Sequence, residues 1–346
     1  MAEEKGRTLK DARAGDPVAL ARALVATPSV NPEIEESGAG EAEVAELTAG
    51  WLRAWGLSVE MSEVAAGRWN VVGRLEGDGD GPTLLLNGHL DTVGVTGMTV
   101  EPFGGELQDG RLWGRGACDM KGGVAALLAA TAKVARDPLP GTLVVALTAD
   151  EEHASLGMES LVRSGMSADA AVICEPTGLA VMPAHKGFVW LEVAFRGRAA
   201  HGSRPDAGID AIEHAGHYLT ALGALRSRLR AGEPHPLLGH GSFHAGTIDG
   251  GSAPSVYPDV CRLVLERRTL PGEGAAGVVD EFQAILDDLA AVVPEFDAKL
   301  TQGLARPATE IRNDSPLVAG LLAACAAEGV DPMLAGMTAW VDAAFL

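Results

Sequence analysis

Residues 142–152 read TLVVALTADEE. An apolar run, Leu143 to Leu147, stops abruptly at three consecutive acids, Asp150, Glu151 and Glu152. Neighbouring carboxylates repel and raise each other's pKa. Alone, the pattern also suits a solvated loop carrying surface acids. It is not alone. TLLLNGHLD (83–91) is a second apolar run ending in His89 and Asp91, and DAAVICE (169–175) a third ending in Glu175. Helical patterns at 122–136 and 154–165 separate these runs. Near-continuous apolar strands alternating with helices predict an α/β fold, a mostly parallel sheet covered on both faces. In open sheets of this kind ligands sit beyond the carboxyl ends of the strands. One histidine and several acids therefore converge on one edge.

Working outward, Asp16-Pro17 reads as an N-cap and first helical residue for a helix to about residue 26. Residues 41–55 form a second helix, RWNVVGRLE (68–76) a strand, and FGGELQDGRLWGRG (103–116) a hairpin or irregular loop. The pattern changes near residue 188. FVWLEVAFRGRA (188–199) partly alternates, as a sheet with one wet face does. A helix over about 208–230, strands at 241–249 and 259–268, and a helix at 275–293 follow. This predicts an inserted α+β domain, 188–300, between catalytic segments 1–187 and 301–346.

The chain has 346 residues, enough for two hydrophobic cores, with 47% hydrophobic residues and a mean hydropathy of +0.13. Its formal net charge of −20 argues against nucleic acid and anionic membranes as partners. The N-terminus shows no apolar signal segment, and no helical stretch is long enough to span a bilayer. The four cysteines, 118, 174, 261 and 325, are widely spaced, which suits a reducing compartment without a disulfide framework. A cytoplasmic protein is expected.

Clustered carboxylates need a cation. Basic residues close in sequence are few, so a divalent metal is the expected partner. One histidine among acids suits zinc or a similar first-row ion. Asp119, in the Gly-rich turn GRGACDMKGG, is a fourth candidate donor. His89 and Asp91, two apart on an extended segment, point the same way, so Asp91 is placed to accept the second ring N–H of His89. The same spacing also occurs in ordinary loops. Glu151 and Glu152, being adjacent, point apart; one can face metal and the other act as general base.

The succession GHLDTV, GRGACDMKGG, TADEE and CEPT resembles the dinuclear zinc peptidases and deacylases of the acetylornithine deacetylase, succinyl-diaminopimelate desuccinylase, aminoacylase and carboxypeptidase G group. The resemblance covers essentially the whole chain. It implies hydrolysis of the amide bond of an N-acyl amino acid or small peptide-like substrate. It implies two divalent ions per subunit, zinc foremost, with cobalt and manganese as alternatives. His89 and Glu175 would hold one ion, Asp119 would bridge both, and Glu152 would help hold the second. Glu151 would activate the water and Asp91 would orient His89. In the insert, AAHGSRPDAGIDAI (199–212) implies that His201 supports the tetrahedral intermediate in a dimer mate's site, hence a homodimer through the insert. ERRTLPGE (266–273) implies that Arg268 grips a substrate carboxylate, with Glu266 where the group has Asp. Ser255 stands where the group has Asn. GMTAWVDA resembles the segment before the group's final strand, with Asp342 in place, and no His follows His244. The last expected ligand of the second ion is thus absent from these residues. A truncated sequence, or a catalytically impaired relative with a weak second site, are the two expectations that follow.

Overall fold

The computed structural model describes residues 2–346, with side chains from residue 8 onward. It divides into two compact units, 1–178 with 341–346, and 179–340.

The first unit opens with helices α1 (Ala2–Arg13), α2 (Pro17–Val25) and α3 (Ala42–Ala54). The Asp16 carboxylate accepts the Ala19 N–H at 2.8 Å, the expected cap of α2. Strands β1 (Ser58–Ala65), β2 (Arg68–Glu76) and β3 (Thr83–His89) follow, then the short hairpin β4 (Glu106–Gln108) and β5 (Arg111–Trp113). Helix α4 (Lys121–Val134), strand β6 (Thr142–Thr148), helix α5 (Leu156–Arg163) and strand β7 (Ala170–Ile173) complete the main run. The sheet order is β1-β2-β6-β3-β7. β3 runs parallel to β6 and β7, whereas β1 and β2 are antiparallel additions.

The expected α/β sheet is present, and it is mixed. β6 is its centre, buried from Leu143 through Thr148, as its unbroken apolar run requires. One face packs on α2, α3 and α4 through Leu20, Leu24, Leu52, Val124 and Leu128. The other packs on α5 through Met158 and Leu161. Strand β1, SVEMSEVA, is a half-exposed edge whose polar letters hide it from a hydrophobic pattern.

The second unit contains β8 (Val181–His185), β9 (Gly187–Arg196), α6 (Ala211–Ala231), β10 (Ser242–Gly250), β11 (Val260–Thr269), α7 (Ala275–Val292), β12 (Asp297–Arg306), β13 (Thr309–Glu310), α8 (Pro316–Ala327) and β14 (Leu334–Met337). An antiparallel sheet, β10-β11-β9-β12, buries one face against α6 and α7 around Leu191, Phe195, Tyr218 and Phe282. The sequence pattern did not reveal β12, half of whose residues are polar and half exposed. β8 pairs with β13 and β14, both beyond residue 300. That pairing is why contacts divide the chain at 178/179 and 340/341, whereas the sequence pattern drew the line at 187/188 and 300/301.

Helix α4 closely approaches the chain just beyond β7. A Cβ at Gly123 would collide with the carbonyl oxygen of Cys174, a backbone atom that cannot step aside. Gly123→Ala is expected to lower stability by ~1–3 kcal/mol, as overpacking does. Urea denaturation checks this; an unchanged midpoint would contradict this tight contact.

Candidate metal centre

Because β3, β6 and β7 are parallel and in register, their carboxyl ends lie side by side, His89 opposite Thr148 and Asn87 opposite Ile173. His89 is the last residue of β3 and is buried. Its Nε2 lies 3.2 Å from Asp119 Oδ1 and 4.0 Å from Glu151 Oε2. Two groups of donors form around it. His89, Glu151 and Glu175 can each offer an atom within 4.8 Å of the others, and so can His89, Asp119 and Glu152. The structure thus gathers His89, Asp119, Glu151, Glu152 and Glu175. The two adjacent glutamates fall in different groups, as their opposite directions require.

Asp91 is placed differently from the sequence expectation. β3 ends at His89, so Asp91 is no longer on the strand. Nδ1 of His89 lies 2.9 Å from the backbone carbonyl of Asp91 and 3.6 Å from its carboxylate. The carbonyl is therefore the nearer oxygen to the ring nitrogen, and the carboxylate, at 3.6 Å, adds a longer contact and its charge. The Asp91 carboxylate accepts from Asn31 Nδ2 at 2.8 Å and from the N–H groups of Glu151 and Glu152 at 3.1 and 3.2 Å.

Asp150 also departs from the sequence reading. It does not face a metal with its neighbours. It is fully buried and turns inward, where its carboxylate meets Arg68 at 3.1 Å and Asn31 at 3.0 Å. Arg68 is 68 residues into the chain and joins the site only through folding. His153 belongs to neither donor group.

The electrostatics are those of a site built for cations. Burial, then repulsion from neighbouring acids, raises Glu152 and Glu175 to about 7 against an ordinary 4.5. Burial pushes Glu151 well above that value, with Asp342 and Glu175 adding to it. Burial likewise raises Asp342 to about 7, against side-chain hydrogen bonds from Ser155 and Thr148 that lower it. Asp342 was visible in the sequence only as part of a resembling segment; here it is a further acid whose charge acts on Glu151 and Glu175. Burial would lower His89, but Asp119, Asp91 and Glu151 hold it well above 6.5. One imidazole and converging carboxylates without counter-charge match the donor set of a first-row divalent ion. One or two such ions would relieve the repulsion.

His201 and Arg268 belong to the second unit. His201 is exposed, with Nδ1 2.8 Å from Ser203 Oγ. Arg268, on β11, lies over the Phe188 ring and donates from Nε to Glu266 Oε1 at 2.7 Å. Glu266 also accepts from Trp190 Nε1 at 3.1 Å. Among the described residues no helix is long and apolar enough to cross a membrane.

The profile of Peptidase family M20/M25/M40 matches residues 85–346. An acetylornithine deacetylase from Myxococcus xanthus is 35% identical over 260 residues, 72% of this chain and 67% of that protein. One from Vibrio campbellii is 30% identical over 307 residues, 87% of this chain and 81% of that protein. Among solved structures, an M20 family metallo-carboxypeptidase from Sulfolobus solfataricus aligns with a TM-score of 0.78 at 15% identity, covering 95% of this chain and 88% of the other. A dinuclear metal-binding M20 peptidase from Bacillus subtilis aligns at 0.71 and 18% identity, covering 96% and 85%.

The raised acids predict a pH signature for the metal-free chain. Between pH 4.5 and about 7 the folded state holds protons on Glu152 and Glu175 that the unfolded state has released. Stability must then fall as pH rises through that window. Replacing both with Gln removes their share of this slope, so the variant should gain ~1–3 kcal/mol over the parent between pH 4.5 and 8. Urea denaturation in chelator reads the difference. A difference independent of pH would contradict the raised values.

Proposed function

The chain belongs to the M20/M25/M40 peptidase family and is a metal-dependent amide hydrolase, and on that premise we propose that it removes the acyl group from an N-acyl amino acid, acetylornithine foremost. The observation that carries this is the pair of donor groups sharing His89, one with Glu151 and Glu175 and the other with Asp119 and Glu152. The substrate follows the names of the curated relatives. A small peptide-like substrate is the neighbouring possibility within the same chemistry. An impaired, non-catalytic relative is not favoured, because the donors and both glutamates are in place.

In this reading His89 and Glu175 would hold one divalent ion, Glu152 would help hold the second, and Asp119 would serve both. Zinc is the first choice, with cobalt or manganese as alternatives. Such ions, when bound, make water more acidic and polarise the scissile carbonyl. Glu151 takes the water's proton and delivers it to the leaving nitrogen. Asp91 orients His89 through its carbonyl oxygen and holds the two glutamate amides through its carboxylate. His201 is assigned to the oxyanion, and Arg268 to a substrate carboxylate. The guanidinium is steadied from one side by Glu266 and Phe188. We also assign 1–187 with 301–346 as the catalytic domain, 188–300 as the insert that forms a homodimer, and the cytoplasm as the location.

Two experiments test these roles. Glu151→Gln is expected to lower kcat on N-acetylornithine by at least about 10³-fold while metal content is unchanged. Retained turnover would remove Glu151 as the base. Arg268→Ala is expected to cost about 10²-fold in kcat/KM on substrates with a free carboxylate, and little on their methyl esters. Equal losses on both would contradict the assigned grip.

A further inference from the structure

The turn that carries Glu151 and Glu152 is held in an unusual way. Four consecutive backbone N–H groups, 149–152, each donate to a buried side-chain oxygen from another element. Ala149 donates to Asn70 Oδ1 at 3.0 Å and Asp150 to Glu41 Oε1 at 3.2 Å. Glu151 and Glu152 donate to the two oxygens of Asp91 at 3.1 and 3.2 Å. None of these bonds belongs to the sheet ladder. Together they fix the direction of the chain as it leaves β6.

Asp150 sits at the pivot. Its φ is +68°, the left-handed region that residues other than glycine seldom occupy. That conformation turns Asp150 inward and sends Glu151 and Glu152 to the sheet edge. The Asp150 carboxylate is held there by Asn31, by the Leu156 N–H and by the cation of Arg68. The guanidinium grips Glu41 at two points, Nη2 to Oε1 at 2.6 Å and Nε to Oε2 at 2.7 Å. The same Nη2 reaches Asp150 Oδ1 at 3.1 Å. Asn31 ties the assembly to the site, donating to both Asp150 and Asp91. Arg68, Glu41 and Asp150 side chains are at most 4% exposed, so solvent does not weaken these contacts.

We propose that Arg68, acting through Glu41 and Asp150, is a positioning residue for the reaction: it sets the Glu151–Glu152 turn so that one glutamate faces substrate and the other the metal. The inference rests on the reading that this turn carries the base. Arg68 touches neither substrate nor metal. Its fork is what the arrangement needs, because one planar group must satisfy two carboxylates in fixed directions. A lysine would supply the charge but not the geometry.

The test compares zinc-loaded wild type, Arg68→Lys, Asp150→Gly and Glu151→Gln. Kinetics on an N-acetyl amino acid are read with metal content and with hydrogen exchange at the amides of 150–152. Asp150→Gly keeps the left-handed conformation accessible and loses only the carboxylate. Both Arg68→Lys and Asp150→Gly are expected to lower kcat about 10–100-fold with KM within about threefold, metal content unchanged, and exchange at 150–152 at least about tenfold faster. A folded variant of either kind with kcat within about twofold of wild type, or with unchanged amide protection, overturns the proposal. If Arg68→Lys does not fold, Asp150→Gly decides; loss of the fold in both also overturns it, since the network would then serve stability alone. Glu151→Gln separates the premise from the inference. If it retains turnover, the base assignment fails, whereas faster exchange in the other two still upholds Arg68 as holding the turn. If it is inactive while Arg68→Lys is fully active, the positioning role alone falls.

Discussion

Carboxylates packed at one buried edge repel each other, and water that would screen them is largely excluded. Glu151, Glu152, Glu175 and Asp342 share this predicament, and their raised pKa values express it. A fold does not gather such groups for stability, because hydrophobic residues would pack there at less cost. The arrangement is explained if cations complete it. The rest of the first unit follows from that need. Parallel β3, β6 and β7 bring their carboxyl ends together, α4 closes at Gly123 on the chain just beyond β7, and the turn after β6 delivers its two glutamates in opposite directions.

A second set of buried charges sits behind the first and behaves differently. Arg68 pairs with both Glu41 and Asp150 through short, directional contacts, and its hydrogen bond to Glu41 works against the burial that raises that carboxyl. Asp91 lies between the two sets. Burial would raise its carboxyl, yet His89, Asn31 and Arg68 hold it below its usual value, so it stays an acceptor for the turn amides. The outer set is left open and the inner set is closed. This contrast separates groups that await a ligand from groups that shape the site.

The sequence made the outer set legible and concealed the inner one. His89, Asp119, Glu151, Glu152 and Glu175 stand at the ends of apolar runs or in a Gly-rich turn, where local pattern marks them. Arg68 opens a strand, Glu41 precedes a helix, and Asn31 lies in a loop. Each looks like an ordinary surface residue until chain segments far apart in sequence are brought into contact. Asp150 was misread for a related reason. Three acids in a row are equivalent as letters, and only a left-handed residue distinguishes the one that turns inward. Strands β1 and β12 escaped because they are half-exposed and polar. The switch to an antiparallel sheet after residue 187 was visible because β9 alternates under one wet face.

The central claim is that the acids at this edge hold metal. Elemental mass spectrometry on the purified chain, after zinc loading and removal of free ion, tests it most directly when wild type is compared with Asp119→Asn, the residue that the proposed reading assigns to both ions. The account predicts about two ions per chain in wild type and a loss of at least about one in the variant, as a shared ligand requires. A wild-type chain that retains no ion, or a variant that retains as many as wild type, would contradict it.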